Sequence, residues 1–249
     1  MTRPSKPRIS DFEDTTMKTI LQVDAIETFY GKSQALHGVS FHVNEGETVA
    51  LLGRNGAGKT TTLRSIMALN RVATGAVHFA GQDISARETH EIARMGMTLV
   101  PETRDAFSLL TVEENIMLGY REGSPFTLDR IVNLLPIIKE FRGRKGGELS
   151  GGQQQIMVMA RGLAMNPRVL LLDEPSQGLA PVMVTAVAEV LQKLKQEKLT
   201  VVLVEQNLRM ALDVADRVVL LEDGATVDTM TSAEALADPE RLEKHLAVH

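Results

Sequence analysis

Within Gly53–Thr61, reading GRNGAGKTT, three glycines and one lysine fall inside seven residues. Gly53, Gly58, Lys59 and Thr60 meet the spacing G-x-x-x-x-G-K-[ST]. Glycines let backbone N–H groups close on phosphate oxygens, and a helix starting here adds the positive end of its dipole. In that chemistry Lys59 reaches the β- and γ-phosphates of a nucleoside triphosphate, Thr60 holds Mg²⁺, and Asn55, Gly56 and Thr61 complete the candidate cradle. A glycine-rich turn with an incidental lysine is the alternative. A second candidate group closes the run RVLLLDEP at Arg168–Pro175. Asp173 is placed to bind Mg²⁺, directly or through water, and Glu174 to polarise an attacking water. Taken alone, LLLDE reads equally well as an acidic turn after a strand; the phosphate loop gives the pair its meaning.

These residues need elements to position them. Residues 47–52, ETVALL, form a short apolar and β-branched run of the kind buried in a parallel sheet, and they lead straight into the glycines. After Lys59, the apolar residues at 63, 66, 67 and 69 approximate one helical face, so the context is strand, loop, helix. Four apolar residues precede Asp173, which therefore stands at the carboxyl end of a buried strand, where ligands of open α/β sheets bind. The expected fold is α/β: a phosphate-loop, RecA-like parallel sheet core with a small antiparallel β portion near the N-terminus and a helical insertion.

The whole chain sets further bounds. With 249 residues and 43% hydrophobic content it can bury a core. No apolar run approaches the roughly 20 residues that cross a bilayer, and the first 19 residues lack a secretory apolar stretch, so a cytoplasmic location is expected. Without cysteine there are no disulfides or thiolate metal sites, and the six histidines show no metal-ligand spacing. A formal charge of −5 gives no electrostatic case for nucleic acid. Residues 1–16 are polar and charged and read as a disordered extension; Met17, at the head of the expected folded domain 17–249, is a candidate native start.

Between the two candidate sites lies Leu149–Gln155, LSGGQQQ. Together with GRNGAGKTT and LLLDEP it resembles the signature of the ATP-binding-cassette (ABC) family, over a span from about residue 20 to about residue 227. Physically, Ser150 is a good N-cap, and Gly151 and Gly152 leave backbone amides open to an anion. The resemblance implies that Ser150, Gly151, Gly152 and Gln153 face the γ-phosphate of ATP held by a second subunit, with two ATP molecules sandwiched head-to-tail. It also implies that Tyr30, in FYGKSQALHGVSF, stacks on adenine; a half-buried strand tyrosine is the alternative. Three positions depart from the family pattern. Glu102 replaces a glutamine; it can still bind Mg²⁺ or water but donates no hydrogen bond while ionised. Gln206 replaces a histidine; it can orient water or touch the γ-phosphate but never becomes a cation. Ala180 replaces an aspartate, so an aspartate-mediated contact between subunits does not carry over.

VPE, TVEEN, DEPSQGLAP and LVEQN together are similar to one branch, the ATP-binding subunits of branched-chain amino-acid type importers and their relatives for amides and urea. The resemblance implies an ATPase on the inner face of the cell membrane, paired with a second ABC subunit, docked on transmembrane permease subunits and linked through them to a solute-binding protein. A non-transport ABC ATPase, as in cofactor assembly, is a second reading, and a nucleotide-dependent switch a third. The signature lies in a helical insertion at about residues 103–157, where Thr111 with Glu114 forms a capping box. Phe107, Leu109 and Leu110 there read equally as partner surface or as core. The stretch 182–195 has an apolar face of core type.

Overall fold

The computed structural model describes residues 18–246; the expected extension 1–16 lies outside them. Ten strands are numbered in chain order: β1 Thr19–Tyr30, β2 Ser33–Asn44, β3 Thr48–Leu52, β4 Val72–Phe79, β5 Gln82–Asp83, β6 Met97–Val100, β7 Val169–Asp173, β8 Thr200–Val204, β9 Arg217–Glu222 and β10 Ala225–Thr231. They form two sheets. The antiparallel portion is a four-stranded sheet in the order β2-β1-β4-β5, and the core sheet has the order β10-β9-β3-β8-β7-β6. In the core sheet β3, β6, β7, β8 and β9 run parallel, and β10 closes one edge antiparallel to β9.

Every residue of β3, β7 and β8 is buried, which is why these segments read as unbroken apolar runs rather than alternating ones. The phosphate-loop strand β3 sits between β8 and β9. Asp173 ends β7, one strand beyond β8, and Glu174 follows it directly. One face of the sheet packs on the antiparallel sheet through Leu21, Val23, Ile26 and Phe79 of β1 and β4, which enclose Leu51, Leu63 and Ile66. The other face packs on the helical insertion, where Ile116, Ile131, Phe141 and Ile156 join Leu170 and Leu172 in one cluster.

The helix after the phosphate loop, α1 (Lys59–Ile66), ends sooner than the apolar spacing through residue 69 suggests. Ala68 turns into the left-handed region with φ 55°. This lets Leu69 N donate to Arg64 O at 2.8 Å and Ala68 N to Ser65 O at 3.0 Å, the paired bonds of a Schellman stop, and leaves Leu69 exposed.

Helices α2 (Thr89–Arg94), α3 (Val112–Met117), α4 (Leu128–Leu134) and α5 (Gly151–Ala164) follow. Thr111 caps α3, accepting from Glu114 N at 3.2 Å while Glu114 Oε2 accepts from Thr111 N at 2.7 Å. Phe107 and Leu109 are exposed, at 52% and 84%. Leu110 is half-buried. The segment 182–195 lies within α6 (Pro181–Gln196), which buries Val187, Val190, Leu191 and Leu194. Helices α7 (Leu208–Val214), α8 (Ser232–Ala237) and α9 (Pro239–Leu246) complete the described chain. Among the described residues no helix is long and apolar enough to cross a membrane.

Candidate functional site

The loop from β3 to α1 depends on its glycines. A Cβ on Gly53 would fall 2.4 Å from the carbonyl oxygen of Leu221 in β9, a backbone atom that cannot yield. Gly58 takes φ 98° and lies against Leu36 of β2, whose Cδ2 would stand 2.7 Å from an added Cβ. The Gly58 carbonyl accepts from Thr62 N at 2.8 Å and Thr62 Oγ1 at 2.9 Å, so the first turn of α1 opens directly on the loop.

Lys59 is 4% exposed, and its Nζ donates to the carbonyls of Gly53 at 2.9 Å and Arg54 at 3.2 Å. The same nitrogen lies 3.7 Å from Glu174 Oε1. Thr60 Oγ1 donates to Asp173 Oδ1 at 2.9 Å. Phosphate loop and carboxylate pair thus meet although 113 residues separate Thr60 from Asp173. A cleft of about 370 Å³ opens here, with Asn55, Gly56, Gly58, Lys59, Thr60, Thr61 and Glu174 on its wall. Tyr30, half exposed, stands beside it: its hydroxyl lies 3.5 Å from Thr61 Oγ1 and accepts from Asn70 Nδ2 at 2.8 Å.

Glu174 holds φ 47°, unusual for a residue with a side chain, and its N–H donates to Val204 O of β8 at 2.9 Å. That backbone turns the side chain toward Lys59, while Gln206 Nε2 donates to Glu174 Oε2 at 2.5 Å. The carboxylate is therefore gripped from two sides, by a cation and by an amide.

Asp173 is 4% exposed. Burial pushes its carboxyl up to about 6; the Thr60 hydroxyl pulls it back, the charges of Glu174 and Glu102 raise it, and Lys59 lowers it. Glu102, exposed on the loop after β6, is near enough to Asp173 for its negative charge to raise that carboxyl. Oxygen donors of this kind suit Mg²⁺. Among the described residues no three His, Asp or Glu side chains converge to hold a metal by themselves, so Thr60 and Asp173 would share the ion with phosphate oxygens and water.

A measurable consequence follows from Asp173. A carboxyl whose folded-state value exceeds its ordinary 3.8 binds a proton more tightly in the native chain than in the unfolded one. Its contribution to stability is fully present below 3.8 and is lost as pH rises through about 6. Nucleotide-free Asp173→Asn is expected to melt above wild type near neutral pH, with the difference shrinking as pH falls from 6 toward 4. Thermal unfolding across that range checks it; equal midpoints at neutral pH would contradict it.

The signature segment is built differently. Ser150 caps α5 in a reciprocal box: its Oγ accepts from Gln153 N at 3.4 Å and Gln153 Oε1 accepts from Ser150 N at 3.0 Å. A Cβ on Gly152 would stand 2.5 Å from Met183 Cγ of α6, so this helix start is pressed close to its neighbour. The structure brings Lys59, Thr60, Asp173, Glu174 and Gln206 together, whereas Ser150, Gly151, Gly152 and Gln153 lie outside the cleft wall.

Several residues near the site carry no sequence motif. Gln34 and His37 of β2 and Asp223 of the β9–β10 turn line the cleft, drawn in where His37 N donates to Gly224 O at 2.7 Å. Arg104 crosses from the loop after β6 to donate to Gln177 O at 2.7 Å, and its Nη1 would lie 2.6 Å from a Cβ on Gly151. Glu205 is buried beside Gln206; it lies in the run LVEQN as a charge directly after an apolar strand, a pattern that gives no role for its side chain.

The family model described as ABC transporter matches residues 36–177. The high-affinity branched-chain amino acid transport ATP-binding protein BraG of Pseudomonas aeruginosa is 40% identical over 231 residues, covering 91% of this chain and 99% of that protein. The probable branched-chain amino acid transport ATP-binding protein LivF of Archaeoglobus fulgidus is 33% identical over 230 residues, covering 90% of this chain and 97% of that protein. A solved dimeric ATP-binding cassette in a post-hydrolysis state, bound to ADP and Pi, superposes with a TM-score of 0.74 at 26% identity, covering 86% of this chain and 99% of the other.

Proposed function

The chain belongs to the ABC transporter family as an ATP-binding subunit, and from that premise we propose that it drives import of branched-chain amino acids or of related small solutes such as amides and urea. The observation that carries this reading is the 40% identity to BraG over nearly the full length of both chains. The sequence runs DEPSQGLAP and LVEQN, which mark the same branch, agree with it.

The reaction is hydrolysis of ATP to ADP and phosphate. In the proposed site Lys59 exchanges the carbonyls of Gly53 and Arg54 for phosphate oxygens, an exchange of neutral acceptors for charged ones that favours the bound state. Mg²⁺, when bound, neutralises charge building on the β- and γ-phosphates. Thr60 and Asp173 would supply its protein oxygens, and Glu102, whose charge reaches Asp173, could serve as a further acceptor. Glu174 accepts a hydrogen bond from water and takes its proton as the new P–O bond forms and the bond from the γ-phosphorus to the bridging oxygen breaks. Gln206 keeps that carboxylate aimed and can itself touch the γ-phosphate. Tyr30, its hydroxyl pinned by Asn70, offers its exposed ring to adenine.

The active form in this reading contains two cassettes, identical or related. Ser150, Gly151, Gly152 and Gln153 face the γ-phosphate held by the partner; their place outside the chain's own cleft supports this, as does the dimeric state of a relative. Phe107, Leu109, Met117 and Leu118 are exposed apolar side chains of the insertion that carries the signature helix, and they suit contact with transmembrane permease subunits at the cytoplasmic face. A solute-binding protein would be reached through those subunits.

The test is a pull-down from detergent-solubilised native membranes, with mass spectrometry of what is captured. Two polytopic membrane proteins and a second cassette subunit are expected. Capture of soluble proteins only would replace the importer with a non-transport ABC ATPase.

A further inference from the structure

Glu205 follows β8 and is 1% exposed. Its carboxylate accepts four hydrogen bonds from two separate segments. Oε1 accepts from Ser176 N at 2.9 Å, and Oε2 accepts from Ser176 Oγ at 2.9 Å and from Gln206 N and Asn207 N at 3.1 Å each. Burial pushes its carboxyl up, and the bonds from Ser176, Asn207 and Gln206 oppose the rise.

The two segments that it joins flank the carboxylate assigned to water. Ser176 stands two residues after Glu174, in the turn whose Gln177 carbonyl is held by Arg104. Gln206 is the residue whose side-chain amide grips Glu174. A buried carboxylate that satisfies only loop donors contributes little apolar packing and costs desolvation, so a role in holding geometry accounts for it better than a role in the core.

We propose that Glu205 is a positioning residue: it fastens Ser176 to the backbone of Gln206 and so holds the Gln206 amide on Glu174, coupling the turn after the carboxylate pair to the group that acts on water. The proposal rests on the reading of Glu174 and Gln206 given above. It extends that reading to a residue outside the wall of the cleft.

The experiment is a double-mutant cycle on the full chain, assayed for ATP turnover at protein concentrations where specific activity has levelled off. Glu205→Gln keeps the shape but turns an NH₂ toward backbone donors, so part of the clamp is lost. Turnover is expected to fall about ten- to a hundredfold, the range of a hydrogen bond to a charged group, with KM for ATP within about threefold of wild type. In a Gln206→Ala background the same substitution is expected to cost no more than about twofold, because the group through which it acts is already gone. Ser176→Ala, which deletes only one donor, is carried through the same cycle and stands in should Glu205→Gln not fold.

Full turnover in Glu205→Gln, or an undiminished cost in the Gln206→Ala background, would overturn the proposal while leaving the ATPase reading intact. Gln206→Ala turning over at the wild-type rate would remove the role of Gln206 and the proposal with it. Wild-type turnover in Glu174→Gln would instead strike the reading beneath both.

Discussion

Glu174→Gln is expected to lower ATP turnover by about a hundredfold or more while nucleotide binding survives. The substitution is nearly isosteric, so the left-handed backbone at φ 47° and the N–H bond to Val204 O can persist. What it removes is the ability to accept a proton from water, an effect of about 10²–10⁴ in rate for a general base. It also deletes a negative charge that raises the Asp173 carboxyl, so Asp173 should ionise more readily and hold the metal no less well. Binding without hydrolysis should therefore accumulate an ATP-bound pair of chains. Phosphate release under single-turnover conditions and gel filtration with ATP check the two halves. Turnover equal to wild type would refute the role.

Lys59→Ala is expected to fail one step earlier, at nucleotide binding. Lys59 is a nearly buried cation whose present partners are two carbonyls and Glu174. Its charge-assisted bonds to phosphate are worth about 1.5–3 kcal/mol, or about ten- to more than a hundredfold in affinity, before any loss of transition-state stabilisation. Turnover should fall with affinity at any ATP concentration that leaves the variant unsaturated. Titration calorimetry with Mg-ATP separates the two variants: weakened binding for Lys59→Ala, retained binding for Glu174→Gln. Wild-type affinity in Lys59→Ala would contradict the assignment of the phosphate loop.

What the sequence reveals tracks how local the interaction is. The capping box at Thr111 and Glu114 is visible because its donors and acceptors lie three residues apart. The phosphate loop is visible because neighbouring glycines, a lysine and a threonine do one task, and Asp173 because an apolar strand points at it. Glu205 follows a strand, yet half of its hydrogen bonds come from Ser176, 29 residues away, and no spacing encodes them. Arg104 reaches Gln177 across 73 residues, and His37 joins the cleft from the antiparallel sheet through a backbone bond to Gly224. The end of α1 is hidden for a different reason: apolar residues continue past Ile66 while the backbone at Ala68 has already reversed.

Hydrolysis is expected to need the phosphate loop of one chain and the signature of another. This requirement is tested most directly by measuring specific ATPase activity against protein concentration, with sedimentation run in parallel to follow pairing. Specific activity is expected to climb with concentration and level off as the pairs saturate. Constant specific activity across the range where the chain is monomeric would show that one chain completes the site alone.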